Sequence, residues 1–196
     1  MDRDRVWGHI HAERAALRDL LSGLTPQEWE TPSLCAGWRV REVAAHLMVS
    51  PALGPGEAVR EVVRAAGRVN VMIDRTSRRA AQRPVAEILA DFTTYAGSRR
   101  HPLGTTILDP LLDVLVHTQD IVVPLGRRHD MPLEAVALVL PRVRWLAPAF
   151  GTFGLVRTHR FEATDLAWSA GRGELVRATA QDLLMVLTGR PAAEPG

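Results

Sequence analysis

Lysine is absent from this 196-residue chain, so all 24 basic residues are arginines, set against 22 acidic ones. The absence reads as a GC-rich coding bias. It also explains a sequence pI near 9.4 at a net charge of only +2, because arginine stays protonated throughout the ordinary pH range. Concentrated positive charge is lacking as well. Arg78-Arg79, Arg99-Arg100 and Arg127-Arg128 are short pairs among interspersed acids, not the basic stripe of a nucleic-acid footprint. The single cysteine, Cys35, excludes an internal disulfide and a structural zinc site built of cysteines. No apolar run reaches the length of a membrane span, and Met1-Asp-Arg-Asp-Arg carries no signal-peptide core. The expectation is a soluble, cytoplasmic protein with no nucleic-acid or membrane partner. What the chain has in quantity is apolar material, 46% of residues against 23% charged. That suffices for a buried core in one domain, or one domain with a small appendage.

Apolar residues at helical spacing predict a helix over residues 5–22, through Val6, Ile10, Leu17, Leu20 and Leu21. Thr25-Pro26-Gln27-Glu28 reads as a helix start, with Thr25 as cap and Glu28 closing a capping box. Further helices are expected over residues 38–48, 57–79, 84–96, 110–123 and 132–148, the last kinked or split by Pro141. After Gly154 the texture changes to short, partly alternating segments at 155–163, 165–169 and 174–177. Gly171-Arg-Gly173 reads as a turn, and a closing helix runs over 178–188. Helices followed by a strand-bearing tail argue an α+β class, predominantly helical. The division expected is a helical bundle over residues 1–150 and a small α+β unit over 151–196.

One helix carries the chemistry. At about 100° per residue, Leu108, Leu111, Leu112, Leu115, Val116, Val122 and Val123 cover one broad face of segment 110–123, and Val114 and Ile121 lie nearly opposite. Between them runs a narrow polar stripe of Asp113, His117 and Asp120. Buried acids and histidines are costly unless paired or bound to a metal. Asp113 and His117, four residues apart, project together. By themselves they fit two readings equally: two ligands of one ion, or a buried Asp–His hydrogen bond.

His46 sits at the edge of the apolar stripe made by Val40, Val43, Ala44 and Leu47. A lone histidine there is more often packed and hydrogen-bonded than a ligand. Joined to the pair, it completes a set of two nitrogens and one carboxylate oxygen, which describes a catalytic zinc site with an open position. His9 and His11 point to different faces of one helix, and His101, His129 and His159 fall in loops or a strand. All five read as surface or structural residues.

The segment PSLCAGWRVREVAAHL over residues 32–47 resembles the signature of the mycothiol-dependent maleylpyruvate isomerase family, whose bundle belongs to the DinB-like group. Asp113-Val-Leu-Val-His117-Thr-Gln-Asp120 is similar to that family's acid-x-x-x-His-x-x-Asp helix. Thr164-Asp165-Leu-Ala-Trp168, Gly171, Gly173 and Leu187-Thr-Gly-Arg190 are similar to its small C-terminal unit. The resemblance implies a DinB-like four-helix bundle with zinc, or another divalent metal, on His46, Asp113 and His117. It implies mycothiol, a small thiol of high-GC Gram-positive bacteria, as cosubstrate. A metal-activated thiolate adding to an electrophile then gives isomerisation, conjugation or dehalogenation.

Two departures stand out. The isomerase has Glu where this chain has Asp113, a displacement of about one methylene. Arg39 replaces a small hydroxyl cap, at a cost on the order of 1 kcal/mol if nothing substitutes for it. Asp120 fits the part of a hydrogen-bonding partner of a ligand or a proton acceptor, and equally a buried hydrogen bond to a neighbouring helix. Cys35 reads as a packed small residue beside Trp38. Arg41 and Arg83, near the bundle mouth, are surface residues before they are carboxylate binders. The residues separate a thiol-using transferase or isomerase from a non-catalytic metal-binding or ligand-sensing bundle only weakly. They leave the electrophile, the residues that bind the thiol and the oligomeric state open.

Overall fold

A computed structural model describes residues 2–102 and 104–191. Its contacts divide the chain into two compact units, Met1–His129 and Asp130–Gly196.

The first unit opens with α1 (Arg3–Ser22), started by Asp2, whose carboxylate accepts the Asp4 N–H at 2.9 Å. The capping box expected at Thr25 and Glu28 is formed and starts the single turn α2 (Pro26–Trp29). Next come α3 (Val40–Ala52), α4 (Pro55–Arg64), α5 (Val69–Ala81), α6 (Val85–Thr94) and α7 (Leu108–Val122). Helices α1 and α3 each pack against both α6 and α7, which closes a four-helix ring. Its interior is filled by Val6, Ile10 and Leu17 from α1 and Val40, Val43 and Ala44 from α3. Ile88 and Phe92 from α6 and Leu111 and Leu115 from α7 complete it, all at most 2% exposed. Burying each large apolar side chain contributes about 1.5–3 kcal/mol.

The helix expected over 57–79 is two helices. Ala66 and Gly67 take left-handed backbone (φ 50° and 74°), and the Gly67 N–H turns back to the Val62 carbonyl at 3.1 Å. That is a helix stop, which lets α5 fold back on α4 and pack along α3. Glu61 on α4 staples the fold-back. Its carboxylate, 2% exposed, meets Arg64 at 3.0 Å, Arg75 at 2.5 Å and Arg79 at 3.2 Å.

Arg39 stands at the head of α3 without a hydroxyl, and Glu42 supplies the substitute. Its carboxylate accepts the Arg39 backbone N–H at 2.8 Å and pairs with the Arg39 guanidinium. Arg39 and Arg41 both reach Glu30, and Arg83 pairs with Asp91.

The second unit begins at Asp130, 21 residues before the boundary expected from sequence. Helix α8 (Leu133–Leu146) belongs to it because it packs against α10 (Ala180–Leu187). Pro141 lies inside α8 without splitting it. A six-residue helix, α9 (Phe153–Thr158), occupies the start of the first expected strand. Strands β1 (His159–Ala163), β2 (Ser169–Gly171) and β3 (Glu174–Ala178) form a sheet in the order β2-β1-β3. β1 pairs antiparallel with β2 and parallel with β3.

The chain therefore has only Arg172 and Gly173 to cross from one edge of β1 to the other. It passes hard against the β1 backbone. A Cβ on Gly171 would lie 2.2 Å from the His159 carbonyl oxygen, and one on Gly173 would lie 2.0 Å from that of Thr158. Both residues also have positive φ, 96° and 108°. Gly173→Ala is expected to cost about 3 kcal/mol or more, read as a lower urea midpoint. An unchanged midpoint would show that the crossing tolerates a side chain.

Burial raises the Glu61 carboxyl, but Arg75, Arg79 and Arg64 outweigh it and hold the group below its ordinary value. A depressed carboxyl stabilises the fold above its unfolded pKa, about 4.3, and that stability is lost as pH falls through the lower folded value. Glu61→Gln is therefore expected to lower stability by about 2 kcal/mol at pH 7. The deficit should shrink as the pH of urea titrations is taken below 4. A deficit independent of pH would show that the staple is not electrostatic.

Candidate metal site

The polar stripe of α7 lies inside the first unit, as the helix wheel requires. Asp120 is fully buried, and Asp113 and His117 are half-buried. His46, on α3, lies across from them, its ring meeting that of His117 edge-on with centroids 4.9 Å apart. His46, Asp113 and His117 each offer a ligand atom, and the three atoms lie within 4.8 Å of one another. The donor set suits zinc, which takes imidazole nitrogen and carboxylate oxygen at about 2.0–2.2 Å. Bonds of that length place donor atoms about 3.3 Å apart in a tetrahedron, so small side-chain rotations close the set.

Each histidine is held through Nδ1. In His46 that nitrogen is 3.1 Å from the hydroxyl of Ser77, a fully buried residue of α5. In His117 it is 2.8 Å from Asp120 Oδ2. Nε2 is thus the nitrogen left to each ring for a metal, the arrangement in which a hydrogen-bonded partner orients a ligating imidazole. Trp38 lines the same space, its ring 5.3 Å from that of His46, while its Nε1–H donates to Asp74 at 2.8 Å.

The two imidazoles are electrostatically unlike. Burial, helped by the neighbouring His117, lowers His46 to about 3, so it is neutral and ready to ligate. Burial also acts to lower His117, but the Asp120 carboxylate and Cys35 overcome it and raise the group to about 10. A metal on His117 must displace that proton. Arg14, a buried residue of α1, adds a positive charge. Burial lowers its guanidinium to about 10 against the opposing pull of Asp113, and its Nη1 donates to the Ser98 carbonyl at 3.1 Å.

Cys35 does more than pack beside Trp38. Its Sγ–H donates to Asp120 Oδ2 at 3.0 Å, and Sγ lies 3.6 Å from His117 Nδ1. Cys35, His117 and Asp120 form a second group with ligand atoms inside 4.8 Å. The loop bearing Cys35 is tied to α7 by backbone as well. The Asp120 carbonyl would ordinarily accept the N–H of residue 124, but that residue is Pro124 and has none. The Leu34 N–H fills the vacancy at 3.1 Å. The Cys35 loop and Asp120 are thus joined by main chain and side chain together.

Sequence reasoning therefore named the ligand candidates and Asp120. It missed Ser77, Arg14 and the orientation of Cys35. Cys35 and Trp38 at least lay inside a recognisable motif. Nothing local to Ser77 or Arg14 marks either, since each meets its partner only through the fold. His129 is structural, paired with the buried Glu13 at 2.8 Å.

Residues 10–106 match the family model of the mycothiol maleylpyruvate isomerase N-terminal domain. No curated protein matches the chain significantly. Among solved structures, the chain is similar to a mycothiol-dependent maleylpyruvate isomerase at TM-score 0.58 and 13% identity, over 98% of this chain and 91% of that one. A variant of such an isomerase with one histidine changed to alanine aligns at TM-score 0.57 and 13% identity, over 95% and 89%. At that identity the structures speak for the fold, and the matched domain speaks for descent: the chain belongs to the mycothiol-dependent maleylpyruvate isomerase family.

Proposed function

We propose that this protein is a zinc-dependent, mycothiol-using transferase or isomerase acting on a small electrophile. The observation that carries the reading is the convergence of His46 from α3 with Asp113 and His117 from α7, their ligand atoms within 4.8 Å. Three protein ligands leave a coordination position open, the mark of a catalytic site and not a structural one. When bound there, zinc supplies the Lewis acidity that deprotonates a thiol at neutral pH and makes it a nucleophile. The chain's own residues set up that chemistry. Ser77 holds His46 and Asp120 holds His117, each through Nδ1. Asp120, fully buried, orients its imidazole and is the residue this reading assigns as proton acceptor.

The replacement of the isomerase's Glu by Asp113 favours a second reading, a bundle that binds metal or senses a ligand without turnover. The shorter carboxylate alters the reach toward the ion by about one methylene, so the electrophile is left unnamed.

Elemental analysis after gentle purification is expected to find about one zinc per chain. His46→Ala and His117→Ala should each lose at least roughly nine-tenths of it, given tenfold or larger losses on removing a ligand. Undiminished zinc in those variants would place the metal elsewhere. Mycothiol-dependent turnover across a panel of electrophiles, absent in both variants, supports the enzyme. Zinc binding without turnover by any thiol supports the second reading.

A further inference from the structure

Asp120 is the most deeply buried acid of the site, and its Oδ2 receives two donors at once, His117 Nδ1–H at 2.8 Å and Cys35 Sγ–H at 3.0 Å. We propose that Cys35 is a positioning residue: its thiol pins the Asp120 carboxylate in the rotamer that holds His117, so that His117 Nε2 is presented toward His46 and Asp113.

Three features carry this beyond simple packing. First, the donor is not adventitiously placed. The Leu34 N–H replaces the donor that Pro124 cannot offer to the Asp120 carbonyl, which fixes the Cys35 loop to the same residue whose side chain the thiol meets. Second, the loop is braced on its other side. Ser33 Oγ accepts the Cys35 N–H at 3.1 Å, and the Trp38 N–H donates to the Cys35 carbonyl at 3.0 Å. The loop thus has little freedom to move the sulfur. Third, a carboxylate on a helix has several rotamers, and an imidazole held by a swinging acid is a poorly aimed ligand. Partners one step removed from a metal commonly matter by a factor of about 10–100 in affinity.

This inference rests on the proposed metal reading, and its test separates the two. Zinc affinity is measured by chelator competition in the wild-type chain, Cys35→Ala and Cys35→Ser, with urea midpoints measured in parallel. Cys35→Ala, which removes the donor, is expected to weaken zinc binding about 10–100-fold. Cys35→Ser, which keeps a hydroxyl donor, is expected to restore most of it. Equal affinity in the alanine variant, or loss in both variants alike, overturns the positioning role. NMR of the zinc-loaded wild type needs no variant to fold: His117 should carry its proton on Nδ1 and the metal on Nε2. The opposite tautomer also overturns the inference. Failure of the wild type to bind zinc would instead fall on the metal reading itself.

Discussion

Placing an ionised carboxylate out of contact with water costs several kcal/mol unless donors surround it, and Asp120 is fully buried. The local architecture follows from meeting that cost. His117 on the same helix and Cys35 on the loop before α3 supply donors to the carboxylate, and Leu34 supplies one to the carbonyl. Because those donors come from separate stretches of chain, satisfying Asp120 also fixes the distance between the Cys35 loop and α7. That loop leads into α3, so the same bonds help to set where His46 lies. A single buried charge thereby brings order to residues that never touch it.

The surrounding bundle makes such an arrangement affordable. Helices α1, α3, α6 and α7 bury a continuous apolar core around the polar stripe, and the stripe is confined to one narrow sector of α7. The remaining polar groups near the stripe are matched in kind. Ser77 meets His46, and Arg14 opposes the charge of Asp113. Away from the stripe, charge is balanced by ion pairs. Glu61 and Glu30 each gather more than one arginine, so a chain without lysine still spreads its positive charge among local acids.

What could be read from sequence was what short-range physics decides. The Thr25–Glu28 capping box, the polar stripe of α7 and the glycine turn at Gly171–Gly173 depend on residues a few positions apart, and each is present. The interruption at Ala66–Gly67 is hard to read locally because the flanking segments 57–65 and 68–79 both favour helix, and folding back is rewarded only through space, by α5 packing along α3 and by Glu61 meeting Arg75 and Arg79. The membership of α8 in the second unit is hidden for a related reason: its partner, α10, lies far along the chain. The same limit hid Ser77 and Arg14. A serine and an arginine are unremarkable until a partner from another helix arrives.

Cys35 lies 82 positions from His117 and 85 from Asp120 along the chain. A cluster assembled over such separations has no counterpart in the unfolded ensemble, where loop closure alone keeps these groups apart. Any ion or small molecule that recognises the cluster therefore binds only the folded chain, and its concentration becomes a thermodynamic variable of folding. Occupancy and cooperativity of unfolding would then report on one another.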